Sequence, residues 1–267
     1  MKENLNKIIC GDNVKVLSGF PDGCIDLTVT SPPYDKLRDY KGYTFDFEGI
    51  ANELYRVTKQ GGVVVWVVGD ATVNGSETGT SFRQALYFKD IGFNLHDTMI
   101  YNKNGFMAPS SNRYHQVFEY MFIFSKDIPA VFNGLKDRRN INTVRGGLNK
   151  RRKDGTMSDE SFKKIELDEF GLRFNIWNIE VGYMKSSKDE IAFEHPAIFP
   201  EKLARDHILS WSNENDVILD PLSGSGTTCK MAYRYKRNYI GIDVSEEYCR
   251  IADKRLLEEK AQLTLDL

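Results

Sequence analysis

Short runs of β-branched and aromatic residues alternate along this chain with amphipathic stretches of helical length, a pattern that points to a largely parallel sheet covered by helices. The predicted strands are Lys7–Cys10, Ile25–Thr30, Val63–Val68, Asn94–Tyr101, Val117–Phe124, Val217–Leu219 and Tyr239–Ile242. The predicted helices are Phe47–Thr58, Thr80–Ile91, Glu201–Trp211, Thr227–Tyr235 and Glu246–Glu259, with apolar residues such as Ile50, Leu54 and Val57 at spacings of three and four. Gly61 and Gly62 are expected to close the first helix. The fold class is therefore α/β, a Rossmann-like three-layer core with a mostly parallel sheet, and 267 residues suffice for one such core plus an insertion.

Composition excludes several other classes. The 41% apolar and 28% charged content is that of a soluble globular chain rather than a disordered or collagen-like one. The longest strongly apolar run, Val63–Val68, falls far short of the roughly 18 residues a bilayer crossing needs, and the first residues lead into no signal-peptide core, so a cytoplasmic location is expected with no membrane partner. Cys10, Cys24, Cys229 and Cys249 form no C-x-x-C pair and have no nearby His. They read as reduced, mostly buried thiols, with no metal site.

Charge is unevenly placed. Between positions 136 and 153 stand eight bases, Lys136, Arg138, Arg139, Arg145, Lys150, Arg151, Arg152 and Lys153, against Asp137 alone, which gives +7 there and −9 for the remainder. A polyanion suits such a patch. Periodicity also dissolves between Asp127 and about Asp189, where Gly134, Gly146, Gly147 and Gly155 interrupt any regular element, so this stretch reads as an inserted recognition segment.

Two runs carry the chemistry. Thr30-Ser31-Pro32-Pro33-Tyr34 directly follows a strand, and its two prolines remove two backbone donors, leaving a stiff surface of acceptors. An aromatic amine needs such a surface, because its lone pair is delocalised into the ring. Accepting both of its N–H protons, at a main-chain carbonyl near Ser31 or Pro32 and at the Ser31 hydroxyl, pushes the nitrogen towards tetrahedral geometry. Tyr34 suits stacking on a base removed from its duplex.

The second run, Asp220 to Thr228, lies between a strand and a helix. Gly224 and Gly226 permit a tight turn and close ligand approach, and Ser225, Thr227 and Thr228 place hydroxyls at the helix start. It lacks the Lys of a Walker A loop, and Cys229 stands where a dinucleotide fingerprint has its third Gly. Asp243, twenty-three residues after Asp220, ends the next strand where such folds place an acid on a ribose, and Gly11-Asp12 follows the first strand in the same way.

Together these runs resemble the amino-methylating DNA methyltransferases that use S-adenosyl-L-methionine, in the permuted class whose catalytic motif precedes the cofactor motif. The likeness extends over nearly the whole chain. It includes the passage from Leu54 to Gly62, Ile100–Lys103, His115 to Lys126 with Glu119 and Phe124, Ile176-Trp177, and His195 to Leu203. The resemblance implies Ser31, Pro32, Pro33 and Tyr34 as catalytic residues. It implies Asp12, Thr30, His195, Pro196, Phe199, Pro200, Asp220, Pro221, Ser223, Gly224, Ser225, Gly226, Thr227, Thr228 and Asp243 around the cofactor. It divides the chain into a catalytic half (1–126), a DNA-recognition insert (127–190) and a cofactor half (191–267).

The implied reaction is methyl transfer to the exocyclic amine of a flipped base in double-stranded DNA. A serine before Pro-Pro-Tyr is more typical of family members that modify cytosine N4, and aspartate or asparagine of those that modify adenine N6, so cytosine N4 is expected and adenine N6 is the alternative. A restriction endonuclease partner and a homodimer stay open. An NAD-linked dehydrogenase would share the glycine turn and Asp243 but leave the proline run unexplained. A DNA-binding protein without catalysis would use the basic insert alone.

Overall fold

The β-branched runs pair into an eight-stranded sheet comprising β1 (Lys7–Cys10), β2 (Ile25–Thr30), β3 (Thr58–Val68), β4 (Asn94–Lys103), β5 (Phe118–Ser125), β6 (Ile176–Ile179), β7 (Val217–Asp220) and β8 (Asn238–Asp243). Their order across the sheet is β1-β8-β7-β2-β3-β5-β4-β6. The first five are mutually parallel, β5 runs antiparallel between β3 and β4, and β6 is parallel to β4. The computed structural model describes residues 2–34, 45–105, 112–142, 144–145, 152–157 and 165–265. Two units emerge, one of 1–133 and 175–267 that carries the sheet, and a small one of Gly134–Phe174.

Helices α1 (Asn13–Ser18), α2 (Phe47–Val57), α3 (Thr80–Asp90), α4 (Glu201–Trp211), α5 (Thr227–Arg234) and α6 (Glu246–Leu265) complete the larger unit. Val64, Trp66 and Val68 pack with Leu17, Ile50, Leu54 and Phe88 of α1–α3. The alternate residues Val63, Val65 and Val67 are equally buried on the opposite face, where Met121 beside Val67 meets His207 of α4. Burial on both faces explains why β3 reads as an unbroken apolar run rather than an alternating one. Among the described residues no helix is long and apolar enough to cross a membrane.

Three expectations need correction. Gly61 and Gly62 do not close α2: Thr58 is already extended, and its hydroxyl donates to the Leu54 carbonyl at 2.6 Å. The glycines instead lie within β3, where the pairing with β2 skips from Ile25–Thr58 to Leu27–Val63. Gly61 has φ +77°, and a Cβ there would meet Ala130 Cβ at 2.8 Å, so close approach of the 126–130 backbone requires glycine. The strand β6 went unpredicted because four residues with burial only at Trp177 and Ile179 make too short a pattern to read. The thiols are free, but only Cys229 and Cys249 are buried, and Cys10 is exposed.

The small unit holds two short antiparallel ladders, Arg138–Arg139 with Phe170–Gly171 and Val144–Arg145 with Ile165–Glu166. Arg138 donates to the Leu172 carbonyl at 2.9 Å, and its guanidinium lies 4.7 Å from the Phe174 ring centre.

Phe88 is wholly buried and stacks on Phe124 at 4.5 Å, with Trp66 edge-on at 5.1 Å. Phe88→Ala is expected to cost about 3–5 kcal/mol. Urea unfolding followed by fluorescence should show a lower midpoint with unchanged slope.

Candidate active site at the carboxyl ends of the strands

Parallel strands put their carboxyl ends together, and β1, β8, β7 and β2 are consecutive neighbours. The loops carrying Gly11-Asp12, Asp243, Asp220–Gly226 and Ser31–Tyr34 therefore emerge side by side. Thr30, the last residue of β2, donates its buried hydroxyl to Asp220 Oδ1 at 2.7 Å, which also accepts the Leu222 N–H at 3.2 Å. Thr228 donates to the Val29 carbonyl at 3.2 Å. The proline loop and the glycine loop are thus joined by hydrogen bonds, although about 190 residues separate them in sequence.

Asp243 fixes the glycine loop from the other side. Its Oδ2 accepts the Gly224 N–H at 2.8 Å and its Oδ1 the Ser245 N–H at 2.9 Å. Burial raises its pKa against those hydrogen bonds. Asp12 caps α1 by accepting from Lys15 N at 2.9 Å, and Asn13 reaches the Pro221 carbonyl at 3.2 Å. Gly224 has φ +48°, and a Cβ there would come within 2.9 Å of His195 Nε2, so the imidazole lies directly against the turn. His195 is buried, edge-on to Tyr248 at 4.3 Å, with Nδ1 2.8 Å from the Ala197 carbonyl. Pro196 is exposed, Phe199 half-buried and Pro200 buried at the start of α4, with its carbonyl accepting from Leu203 and Ala204.

The loop hydroxyls divide by use. Those of Thr227 and Ser225 accept from Arg255 at 2.9 and 3.2 Å, so they and Thr228 brace the loop. Ser223 differs: its hydroxyl is buried with no hydrogen-bond partner among the described residues. A buried orphan hydroxyl costs about 1–3 kcal/mol until something satisfies it. Beside a tight glycine turn and a carboxylate on the neighbouring strand, Ser223 makes the site suitable for a small polar ligand.

Sequence reasoning missed Arg255. Completely buried on α6, it donates to the Ser225 carbonyl at 2.6 Å, Asp189 at 2.9 Å and Glu201 at 3.0 Å. Lys230 joins the same two acids at 2.6 and 2.9 Å. In sequence, a base within an amphipathic helix reads as a solvated residue, and only its packing reveals otherwise.

On the proline loop, the Ser31 and Tyr34 hydroxyls lie 2.9 Å apart, and Tyr34 also reaches Glu119 at 2.8 Å. In the small unit Lys136 pairs with Asp168 at 3.4 Å and Arg139 with Glu169 at 3.5 Å. Across Gly134–Phe174 eleven bases stand against seven acids, a net of +4, because six of the acids follow position 153 in sequence. Arg152 and Lys153 are exposed. The Arg145 side chain, Lys150 and Arg151 lie outside the described residues.

A mostly parallel α/β sheet with ligand-binding composition gathered at the carboxyl ends of its strands defines the Rossmann-like class of folds. The particular family is set by comparison: a model described as DNA methylase matches residues 25–254, and the chain belongs to that family of N6/N4 methyltransferases. The orphan methyltransferase M.BamHII of Bacillus amyloliquefaciens is 62% identical over 240 residues, covering 88% of this chain and 89% of its own. The solved PvuII DNA methyltransferase, described as cytosine-N4-specific, superposes with a TM-score of 0.67 at 21% identity, over 93% of this chain and 85% of that one. A Thermus thermophilus protein solved in complex with S-adenosyl-L-methionine gives 0.65 at 24% identity over 95% and 93%. At these identities the two structures bear on the fold.

Burial pushes the Asp220 carboxyl up to about 6, against the hydrogen bond from Thr30. The folded state therefore holds this proton more tightly than the unfolded chain, whose carboxyl titrates near its ordinary value of about 3.9. Stability from this group is greatest below that value and falls as pH rises towards 6. Asp220→Asn removes the titration, so the stability of the variant relative to wild type should rise by about 1 kcal/mol between pH 5 and pH 7.5, measured by urea unfolding at both.

Proposed function

We propose that this protein transfers a methyl group from S-adenosyl-L-methionine to the exocyclic amine of a base flipped out of double-stranded DNA, with cytosine N4 as the target, and that it belongs to the permuted class. The observation that carries this reading is the Thr30–Asp220 hydrogen bond, which joins an acceptor loop suited to an amine to a glycine turn suited to a small cofactor.

Ser223, the Gly224–Gly226 turn, Asp243 and Asp12 would hold the cofactor, with His195 to Pro200 covering it. When bound, S-adenosyl-L-methionine supplies an electrophilic methyl group on a sulfonium. The chain's own contribution is orientation and acceptance of protons. Ser31 and the Pro32-Pro33 backbone accept the amine N–H groups and turn its lone pair out of the ring. The serine favours cytosine N4. The basic residues of the insert, chiefly Arg152 and Lys153 with their undescribed neighbours, neutralise phosphates and supply salt-dependent affinity without reading sequence. The M.BamHII relative is described as an orphan, which favours modification without a cognate endonuclease. A duplex DNA substrate in turn favours a cytoplasmic location.

The test incubates unmethylated DNA with labelled S-adenosyl-L-methionine, digests it to nucleosides and identifies the product by mass spectrometry. N4-methylcytosine is expected, N6-methyladenine would move the target to adenine, and absence of a labelled nucleoside would refute the reading. Ser31→Ala should lower transfer by at least about a hundredfold, the scale of losing one aligned polar partner in a preorganised site. Its cofactor affinity, measured by calorimetry, should stay near that of wild type.

A further inference from the structure

The contact between Ser31 and Tyr34 can run in either direction, since each hydroxyl has one hydrogen and both oxygens accept. What surrounds it decides the direction. Tyr34 Oη lies 2.8 Å from Glu119 Oε2 and 3.4 Å from the Val67 carbonyl. Glu119, near the start of β5, is clamped by Lys103 at the end of β4. As a carboxylate it can only accept, and it offers the shorter and stronger partner. The single Tyr34 hydrogen therefore goes to Glu119. The Ser31 hydroxyl must then donate to Tyr34, and its remaining lone pairs are available only as acceptors.

We infer that Glu119 is a positioning residue: acting through Tyr34, it fixes the direction of the Ser31 hydrogen and presents Ser31 to the target base as an acceptor. The inference rests on the amine-methylation reading and deepens it to base selection. An acceptor welcomes the N–H of an amino group and repels the carbonyl oxygen that uracil carries at the same ring position. Burial pushes the Tyr34 hydroxyl well above its ordinary pKa, with the nearby Glu119 charge adding to it, which keeps Tyr34 a neutral donor. Lys103, by pairing with Glu119, holds the carboxylate in place beside Tyr34.

Without Glu119 the direction is lost. Tyr34 can donate to Ser31, and the serine hydrogen can then turn towards the base, where it opposes the hydrogens of an amine. The chain thus selects an amine over a carbonyl with a residue that never touches the substrate.

The test uses the full chain and, once the modified site is mapped, duplexes carrying either cytosine or uracil at the target opposite an abasic position, so that neither base has a pairing partner to lose. Glu119→Leu should slow single-turnover methylation of cytosine at least about tenfold at saturating cofactor, as expected for a misaligned reacting group. It should also erode the preference of binding for cytosine over uracil. Tyr34→Phe, which keeps the ring and removes only the oxygen, should do the same, and the double variant should be no slower than Tyr34→Phe alone. An unchanged rate or unchanged base preference in Tyr34→Phe would overturn the inference, as would fully multiplicative losses in the double variant. If Glu119→Leu does not fold, Tyr34→Phe alone decides through its base preference, which a purely structural role would leave intact. Wild-type protein that methylates no DNA would sink the broader reading instead; wild-type activity with these variants unaffected would sink only the role of Glu119.

Discussion

The parallel pairing of β2 with β7, sealed by the Thr30 hydroxyl on Asp220, is the constraint on which the site depends. The two strands come from opposite ends of the chain, and no local interaction could bring their loops together. Once they lie in register, Leu219 beside Thr28, their carboxyl ends coincide and the loops have one place to meet. Asp220 is buried at that junction, and burial raises its pKa by more than the hydrogen bonds there lower it. A carboxylate there is worth less to stability than a neutral group, so its presence fits a role in holding two loops at a fixed separation.

A second layer of charge supports the glycine turn from behind. Lys230, Arg234 and Arg255 meet Asp189, Glu201 and Glu259 in an ion network with balanced charge. Burial alone would raise the Asp189 carboxyl, but the hydrogen bonds from Lys230 and Arg255 outweigh it and hold its pKa below the ordinary value. Such networks add little net stability, since apolar residues of equal volume often do as well. Directionality is what apolar residues cannot supply. Arg255 aims its N–H groups at Ser225, Thr227, Ser187, Asp189 and Glu201, which links the glycine turn to the 187–201 stretch that leads through His195 into α4. The placement of His195 against Gly224 follows from this tie as much as from van der Waals contact.

The sheet was legible because parallel strands buried on both faces leave runs such as Val63–Val68, which resemble little else. Helix ends were less so. Thr58 ends α2 through its own hydroxyl and extended backbone, whereas the adjacent glycine pair offered a more familiar stop signal that the fold spends on the approach of Ala130. At the site, the glycine turn and proline loop could be read because their backbones are special in sequence as well as in space. Arg255 and the Lys103–Glu119 clamp could not, since a charged residue announces its partner only after strands and helices have packed. The pairing of the insert's charges was hidden for a related reason: Asp168 and Glu169, beyond the basic run in sequence, return beside Lys136 and Arg139 in space.

The proposed transfer also has to dispose of a proton, and the groups on the proline loop limit how. Ser31 and Tyr34 are neutral hydroxyls, and Tyr34 is pushed away from ionisation by its burial and by Glu119. Neither can take a proton from an aromatic amine before the nitrogen reacts, because such an amine is a far weaker acid than water-exposed ammonium. Loss of the proton therefore follows bond formation, when the charge on nitrogen has made it acidic enough for water to accept it. Among the described residues of the loop no side chain is a base that could raise the nucleophilicity of the amine, so the proposed reaction draws its rate from geometry and from acceptors already aimed at the developing charge. This demand accounts for the stiffness around the loop: two prolines fix its backbone, Thr30 is tied to Asp220 at one end, and Tyr34 is tied to Glu119 at the other. A loop able to relax by even one hydrogen bond would lose the alignment on which the proposed transfer relies.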